Sequence, residues 1–293
     1  MSQTRAPIVV GYDASSSARD AVDWAAHEAE GRRLPLVVLF AWGRAQPRAT
    51  ELVGRHVAVE VAADAVAAAG RDRALALAPG LEVRTRTSDQ GAAEAVQKLS
   101  GEAAMIVLGD RHQRRLSGDS GSVVPAVAAH AECPVVFVPA GSEVLPGRRK
   151  PVVVGIDGSQ GSDTAVRWAA DLAARTRAEL VLAAAWQAPS ADHWTRVYLG
   201  DEDWHHVEVE GARHGAHDHV SHARGVVSRE QPGLKFREHV QQTPAATMLA
   251  QLSLAAALVV VGARGEGGLS KLRLGSVGRN VINRSQCPVA ILR

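Results

Sequence analysis

Seven residues near the start of the chain, Val9-Val10-Gly11-Tyr12-Asp13-Ala14-Ser15, return 144 positions later as Val153-Val154-Gly155-Ile156-Asp157-Gly158-Ser159. Ala21-Val22 and Trp24-Ala25-Ala26 return at the same offset as Ala165-Val166 and Trp168-Ala169-Ala170. Further on, Val107-Leu108-Gly109 answers to Val260-Val261-Gly262, and Cys133-Pro134-Val135 to Cys287-Pro288-Val289. The landmarks keep their order in both halves, which means a duplicated domain, and two repeats of this length are two domains rather than a solenoid. The length of 293 residues agrees with the guide of roughly 100–200 residues per domain, and either half is large enough for a core of its own. The expected domains are residues 1–140 and 152–293. The connection, residues 141–151, contains Pro146-Gly147 and Arg148-Arg149-Lys150, the turn chemistry and charge of a solvated linker.

Within each half, short apolar runs alternate with helical patterns. In the second half the strands read as Val152 to Ile156, Leu180 to Trp186, Lys235 to Val240, Leu258 to Val261 and Val289 to Leu292. The helices read as Ser162 to Thr176, Val209 to Arg229, Ala245 to Ser253 and Ser276 to Asn283. Near-continuous Val, Leu and Ile runs are the mark of strands buried on both faces in a parallel sheet. Strands alternating with helices imply right-handed crossovers and a doubly wound α/β fold.

Composition narrows the class of partner. A formal net charge of +2, with 46% hydrophobic and 22% charged residues, gives no bulk charge with which to hold a polyanion, so nucleic acid is not expected. No charged-then-apolar leader is visible and no apolar run approaches the roughly 18 residues of a membrane span, so the expected location is the cytoplasm, away from membranes. The two cysteines, Cys133 and Cys287, enter equivalent apolar runs and read as buried thiols rather than a disulfide framework.

The chemistry of the second half concentrates after its fourth strand. Gly262-Ala263-Arg264-Gly265-Glu266-Gly267-Gly268 follows the run Leu258 to Val261, and nine residues separate Gly265 from Gly275-Ser276 at an expected helix start. Glycines let the main chain approach a ligand closely, and the amides of a helix N-terminus attract anions. In doubly wound sheets ligands sit outside the carboxyl ends of the strands, where strand order reverses. Asp157 ends the first strand of its half. If that strand neighbours the one ending at Gly262, the carboxylate and the glycine loop face one crevice suited to a nucleotide. The plainer role for Asp157, with Ser159 and Ser162, is to cap the following helix.

The spacing G-x-x-G-x9-G-S with an aspartate ending the first strand resembles the ATP-binding class of the universal stress protein family, and the resemblance covers both halves. It implies two tandem Rossmann-like domains, each a five-stranded parallel sheet flanked by helices, joined through their last strands. It further implies ATP, with Mg2+ accompanying the triphosphate, bound by Asp157 at the ribose and adenine end and by the backbone around Ala185 framing the base. Gly262, Gly265, Gly275, Ser276 and the Val277 amide would surround the phosphates. The function it implies is that of an ATP-binding stress-response regulator, a homodimer through its terminal strands that answers to a regulatory protein partner.

The first half departs from that pattern. Its counterparts are Asp13, Ala41, Gly109, Gly121 and Ser122, but His112 replaces the second glycine and eight residues rather than nine precede Gly121. A side chain where the backbone must approach phosphate obstructs the loop, and Asp110 and Asp119 add like charge to it. The expectation is a first domain that binds ATP weakly or not at all.

Other signals weigh less. No G-x-x-x-x-G-K-[ST] run exists, so the phosphate cradle is not a P-loop. Gly118-Asp119-Ser120-Gly121 and Ala128-Ala129-His130 have the residue types of a serine protease in the wrong chain order and on the wrong fold. Seven of the twelve histidines lie between His193 and His222; His214 with His217, and His219 with His222, stand at helical spacing, yet a solvated helix face explains them without a metal. Arg264, Lys271 and Arg273 are candidate phosphate partners. No residue is marked out as a phosphoryl-transfer catalyst. A slow ATP hydrolase or phosphotransferase, and an interaction protein without nucleotide, are therefore the alternatives to a regulator. Val135 to Val138 and Val289 to Leu292 are the expected edge strands available for pairing.

Overall fold

A computed structural model of the chain describes residues 5–43, 52–110, 123–142, 149–188, 201–265 and 274–293, with the backbone alone for 52–58 and 201–208. The chain divides into two compact units, one of Met1–Leu145 with Cys287–Arg293 and one of Pro146–Gln286.

The first unit contains β1 (Ile8–Gly11), α1 (Ser16–Arg32), β2 (Leu36–Ala41), α2 (Leu52–Leu77), β3 (Val83–Ser88), α3 (Ala92–Ser100), β4 (Met105–Asp110), α4 (Val123–His130), β5 (Val135–Pro139) and the chain's last strand, β10 (Val289–Leu292). Its strands run in the order β3-β2-β1-β4-β5-β10. The first five are parallel neighbours. β10 closes the row antiparallel to β5, with Ala290 opposite Val136. That pairing is why residues 287–293 group with the first unit, and it covers an edge that β5 would otherwise leave open.

The second unit contains β6 (Val152–Ile156), α5 (Gln160–Thr176), β7 (Leu180–Trp186), α6 (Asp201–Glu230), β8 (Phe236–Gln242), α7 (Ala245–Leu252), β9 (Leu258–Gly262) and α8 (Ser276–Arg284). Its parallel strands run β9-β6-β7-β8. In each unit two helices pack together on one face, α1 with α2 and α5 with α6, and two on the other, α3 with α4 and α7 with α8. Both units are thus doubly wound α/β layers, as the alternation of apolar runs and helical patterns requires. Among the described residues no helix is long and apolar enough to cross a membrane.

The first helix of each unit shows how sequence sets its ends. Ser15 accepts from the Ala18 amide (3.2 Å) and Ser159 from the Ser162 amide (3.1 Å), so each serine caps an orphan donor. Both helices stop at an arginine in the left-handed region, Arg33 (φ 56°) and Arg177 (φ 55°), whose amides bond back to the last turn. An ion pair ties each first helix to the second, with opposite polarity: Asp23 on α1 to Arg73 on α2, and Arg167 on α5 to Glu230 on α6. The Asp23 hydrogen bond holds the Arg73 guanidinium proton above its usual range. The helix expected from Val209 begins at Asp201. Among its described side chains the buried ones are Ala216, Val220, Ala223, Val226 and Val227, whereas the sequence of its beginning is dominated by acidic residues and histidines, which mark no apolar stripe to start the helix.

Candidate functional site

Strand order reverses at β6, which has β7 on one side and β9 on the other. The carboxyl ends of these strands open onto a cavity of about 400 Å3, within the usual range of roughly 300–1,000 Å3 for small-molecule sites. Gly155, Ile156 and Asp157 reach it from β6, Ala183 and Ala185 from β7, and Val261, Gly262, Arg264 and Gly265 from β9 and the loop after it. The start of α8 supplies Gly275, Ser276, Val277 and Gly278, and α7 supplies Ala245, Met248 and Leu249. The seven second-half residues expected around a nucleotide, Asp157, Ala185, Gly262, Gly265, Gly275, Ser276 and Val277, therefore line one space.

The Asp157 carboxylate works on two sides. Its Oδ1 accepts from the Ser159 amide (3.1 Å) and hydroxyl (2.7 Å), fixing the turn that starts α5. Its Oδ2 lies against Gly265, where a Cβ would collide with it. The capping role and the cavity-facing role thus coexist in one side chain. Between them Gly158 takes a left-handed conformation (φ 82°), and an added Cβ there would meet the ring of His219 on α6.

The glycines have different reasons for being glycine. At Gly262 a Cβ would stand 2.8 Å from the Gly161 carbonyl carbon, so the first turn of α5 crosses β9 too closely for any side chain. Gly109 in the first unit is constrained the same way, 2.5 Å from the carbonyl carbon of Ser17. Gly275 differs. Its backbone is extended (φ −66°, ψ 162°), its amide donates to the Ala263 carbonyl (2.8 Å), and among the described residues a Cβ would meet nothing nearer than that carbonyl oxygen at 3.6 Å. The described packing therefore leaves room at Gly275 on the cavity side.

Among the described lining residues the cavity has one carboxylate, Asp157 at the β6 end, and positive character at the start of α8. The start of α8 presents backbone amides with no acidic residue in its first turn, an arrangement favourable to an anion. Arg264, at the mouth, is exposed. Lys271 and Arg273 lie outside the described residues.

Asp13, Ala41 and Gly109 also share a cavity, but of about 110 Å3. The turn there repeats: Asp13 Oδ1 accepts from the Ser15 amide (3.0 Å), and Ala14 occupies the left-handed region (φ 63°) that Gly158 takes in the second unit. Gly121, Ser122, His112 and Asp119 lie outside the described residues. Asp110 is buried at the end of β4 and is not among the residues lining the cavity.

The walls at Ala183, Met248 and Leu249 escaped sequence reasoning. A signal existed at the first of them, since Ala183-Ala184-Ala185 stands where the first half has Leu39-Phe40-Ala41. Of the histidines, His214 Nδ1 bonds the Glu210 carbonyl (2.7 Å) and His222 Nε2 lies 3.2 Å from Asp163 Oδ2. His193 and the side chains of His205 and His206 lie outside the described residues. Among the described residues no group of three or more His, Cys, Asp and Glu side chains gathers to hold a metal. Cys133 and Cys287 are buried free thiols, and burial pushes Cys133 up to about 11, which suppresses the reactive thiolate.

A sequence model described as the universal stress protein family matches residues 4–139 and again 148–293. The universal stress protein Rv1996 of Mycobacterium tuberculosis is 32% identical over 311 residues, spanning 99% of this chain and 96% of that one. The universal stress protein Rv2623 of the same organism is 31% identical over 304 residues, spanning 98% and 96%. Among solved structures, a universal stress protein from Archaeoglobus fulgidus superposes with a TM-score of 0.67 at 19% identity, covering 98% of this chain and 96% of that one.

Proposed function

The chain belongs to the universal stress protein family as a tandem member, and we propose that its second domain binds ATP and that occupancy of this site regulates the protein's shape or its affinity for a protein partner. One observation carries the reading: seven residues picked from the sequence for a nucleotide line a single cavity of about 400 Å3 at the reversal of strand order. The size suits a nucleotide. Asp157 supplies acceptors where a ribose has hydroxyls, and the small side chains of Ala183 and Ala185 leave a slot for a flat base. The start of α8 offers amides where phosphates carry charge, and Gly275 leaves room that the described residues do not fill. Mg2+ would accompany the triphosphate as its counterion. The first domain, with its altered loop and smaller cavity, serves as a structural partner. Protein partners and self-association through terminal strands belong to the same reading.

Binding is favoured over turnover. Phosphoryl transfer needs a positioned nucleophile and stabilisation of moving charge, and among the described residues lining the cavity Asp157 is the only acidic side chain, with Oδ1 committed to the α5 turn. Titration calorimetry with ATP on the full chain tests the reading. Binding is expected in the wild type and lost in Gly275→Trp, whose ring would fill the cavity; equal binding by both would refute the assignment. ADP accumulating in step with enzyme over hours would favour the slow hydrolase instead.

A further inference from the structure

Resting on the assignment of the second cavity to a nucleotide, we propose that ligand selectivity between the halves is set by the apolar walls of the two cavities, and that Leu39 and Leu108 close the first site independently of its altered loop. Strand by strand, the two cavities are built from matching positions. Leu39 on β2 stands where β7 has Ala183, and Leu108 on β4 where β9 has Val261. All four side chains are buried and all four line their cavities.

The closing is visible at the matching glycines on the central strands. A Cβ at Gly11 would stand 2.7 Å from Leu108 Cδ2, because the leucine leans across β1 into the space above it. A Cβ at Gly155 would stand 3.1 Å from Leu249 Cδ1 and 3.2 Å from Val261 Cγ1, so the shorter valine reaches less far over its central strand than Leu108 does. The cavities follow, about 110 Å3 against about 400 Å3. The smaller falls below the roughly 300 Å3 at which small-molecule sites begin. Leu39 lies two residues before Ala41, the counterpart of Ala185 at the proposed base end, Leu108 immediately precedes Gly109, and both sit on strands rather than in the altered loop. A repaired phosphate loop alone would therefore still meet a blocked nucleoside end. Selectivity by steric exclusion of this kind needs no repulsive charge.

Stoichiometry of ATP on the full chain, by equilibrium dialysis, separates the two obstacles. The wild type is expected to bind one ATP. A variant with the first loop repaired, His112→Gly with one residue inserted before Gly121, is expected to stay at one. Adding Leu39→Ala and Leu108→Val to that repair is expected to give two. Two ATP on loop repair alone, or one ATP after both repairs, overturns the inference while leaving the second site standing. The reverse graft, Ala183→Leu, places a leucine in open cavity and is expected to weaken ATP by about 100-fold with the melting temperature held; binding within about threefold of wild type overturns the role of the wall. A wild-type chain that takes up no ATP refutes the nucleotide assignment itself, and this inference with it.

Discussion

The two halves share a fold and an aspartate turn, yet the cavity beside that turn is about 400 Å3 in the second half and about 110 Å3 in the first. What they share has a reason in packing. Asp13 and Asp157 each cap the turn before the first helix, and Gly109 and Gly262 each let that helix cross a strand end. What differs lines the cavity, Leu39 against Ala183 and Leu108 against Val261, and in sequence His112 stands where the second half has Gly265. In a duplicated chain, residues common to both copies report what the fold needs, and residues that part company report what the site needs. The aspartate that first draws attention is therefore less diagnostic than the small residues around it.

The comparison breaks most visibly at its shared glycines. Gly109→Val and Gly262→Val are each expected to cost about 3 kcal/mol or more in urea unfolding, because a helix backbone occupies the place of the added side chain. A cost near zero at either position would mean the close crossing is not needed. The next effect belongs to the buried thiol of the first unit. The native chain holds the Cys133 proton up to about pH 11 against a reference of 9.0, so stability is intact below pH 9 and drains as the pH rises through 11. The loss amounts to about 2–3 kcal/mol, read as the difference between wild type and Cys133→Ala. A difference that does not change over that range would contradict the burial effect.

A smaller and more selective effect is expected at the turns. Asp157→Ala should weaken ATP by about 30-fold, the loss of charge-assisted hydrogen bonds to a ligand, whereas Asp13→Ala should leave ATP binding unchanged. Equal loss from both would mean the first site works. Smallest is the contrast between the helix-to-helix ion pairs. Arg73→Ala uncovers Asp23, whose side chain is 11% exposed, whereas Arg167 and Glu230 are 47% and 43% exposed. Arg73→Ala should cost about 1.5 kcal/mol and Arg167→Ala less than about 1 kcal/mol in thermal unfolding; the reverse order would sink the burial argument.

Much of this was legible in the residues. The strands Val152–Ile156 and Leu180–Trp186 coincide with the apolar runs, because strands buried on both faces leave nothing but apolar residues to write. The cavity-facing set was legible where chemistry dictates residue type, as at Asp157, Gly265 and Gly275. It was illegible where the ligand space is simply left open: an alanine at Ala183 says little until the strand beside it shows which way it points. The start of α6 was hidden because its first residues, Asp201-Glu202-Asp203 and His205-His206, write acid and imidazole where an apolar stripe would announce a helix. Pairing of the terminal strands was legible as an expectation but the register of β10 along β5 was not, since two short, wholly apolar strands can slide by a pair of residues without changing faces.

The central claim is a single working nucleotide site, in the second half. Its most direct test is the identity and amount of nucleotide released on denaturing protein purified without added ligand, measured by mass spectrometry on wild type and Gly275→Trp. About one ATP per chain in the wild type and none in the variant is the predicted result, given the cavity at the start of α8. Two ATP per chain, or one that survives the substitution, would contradict it.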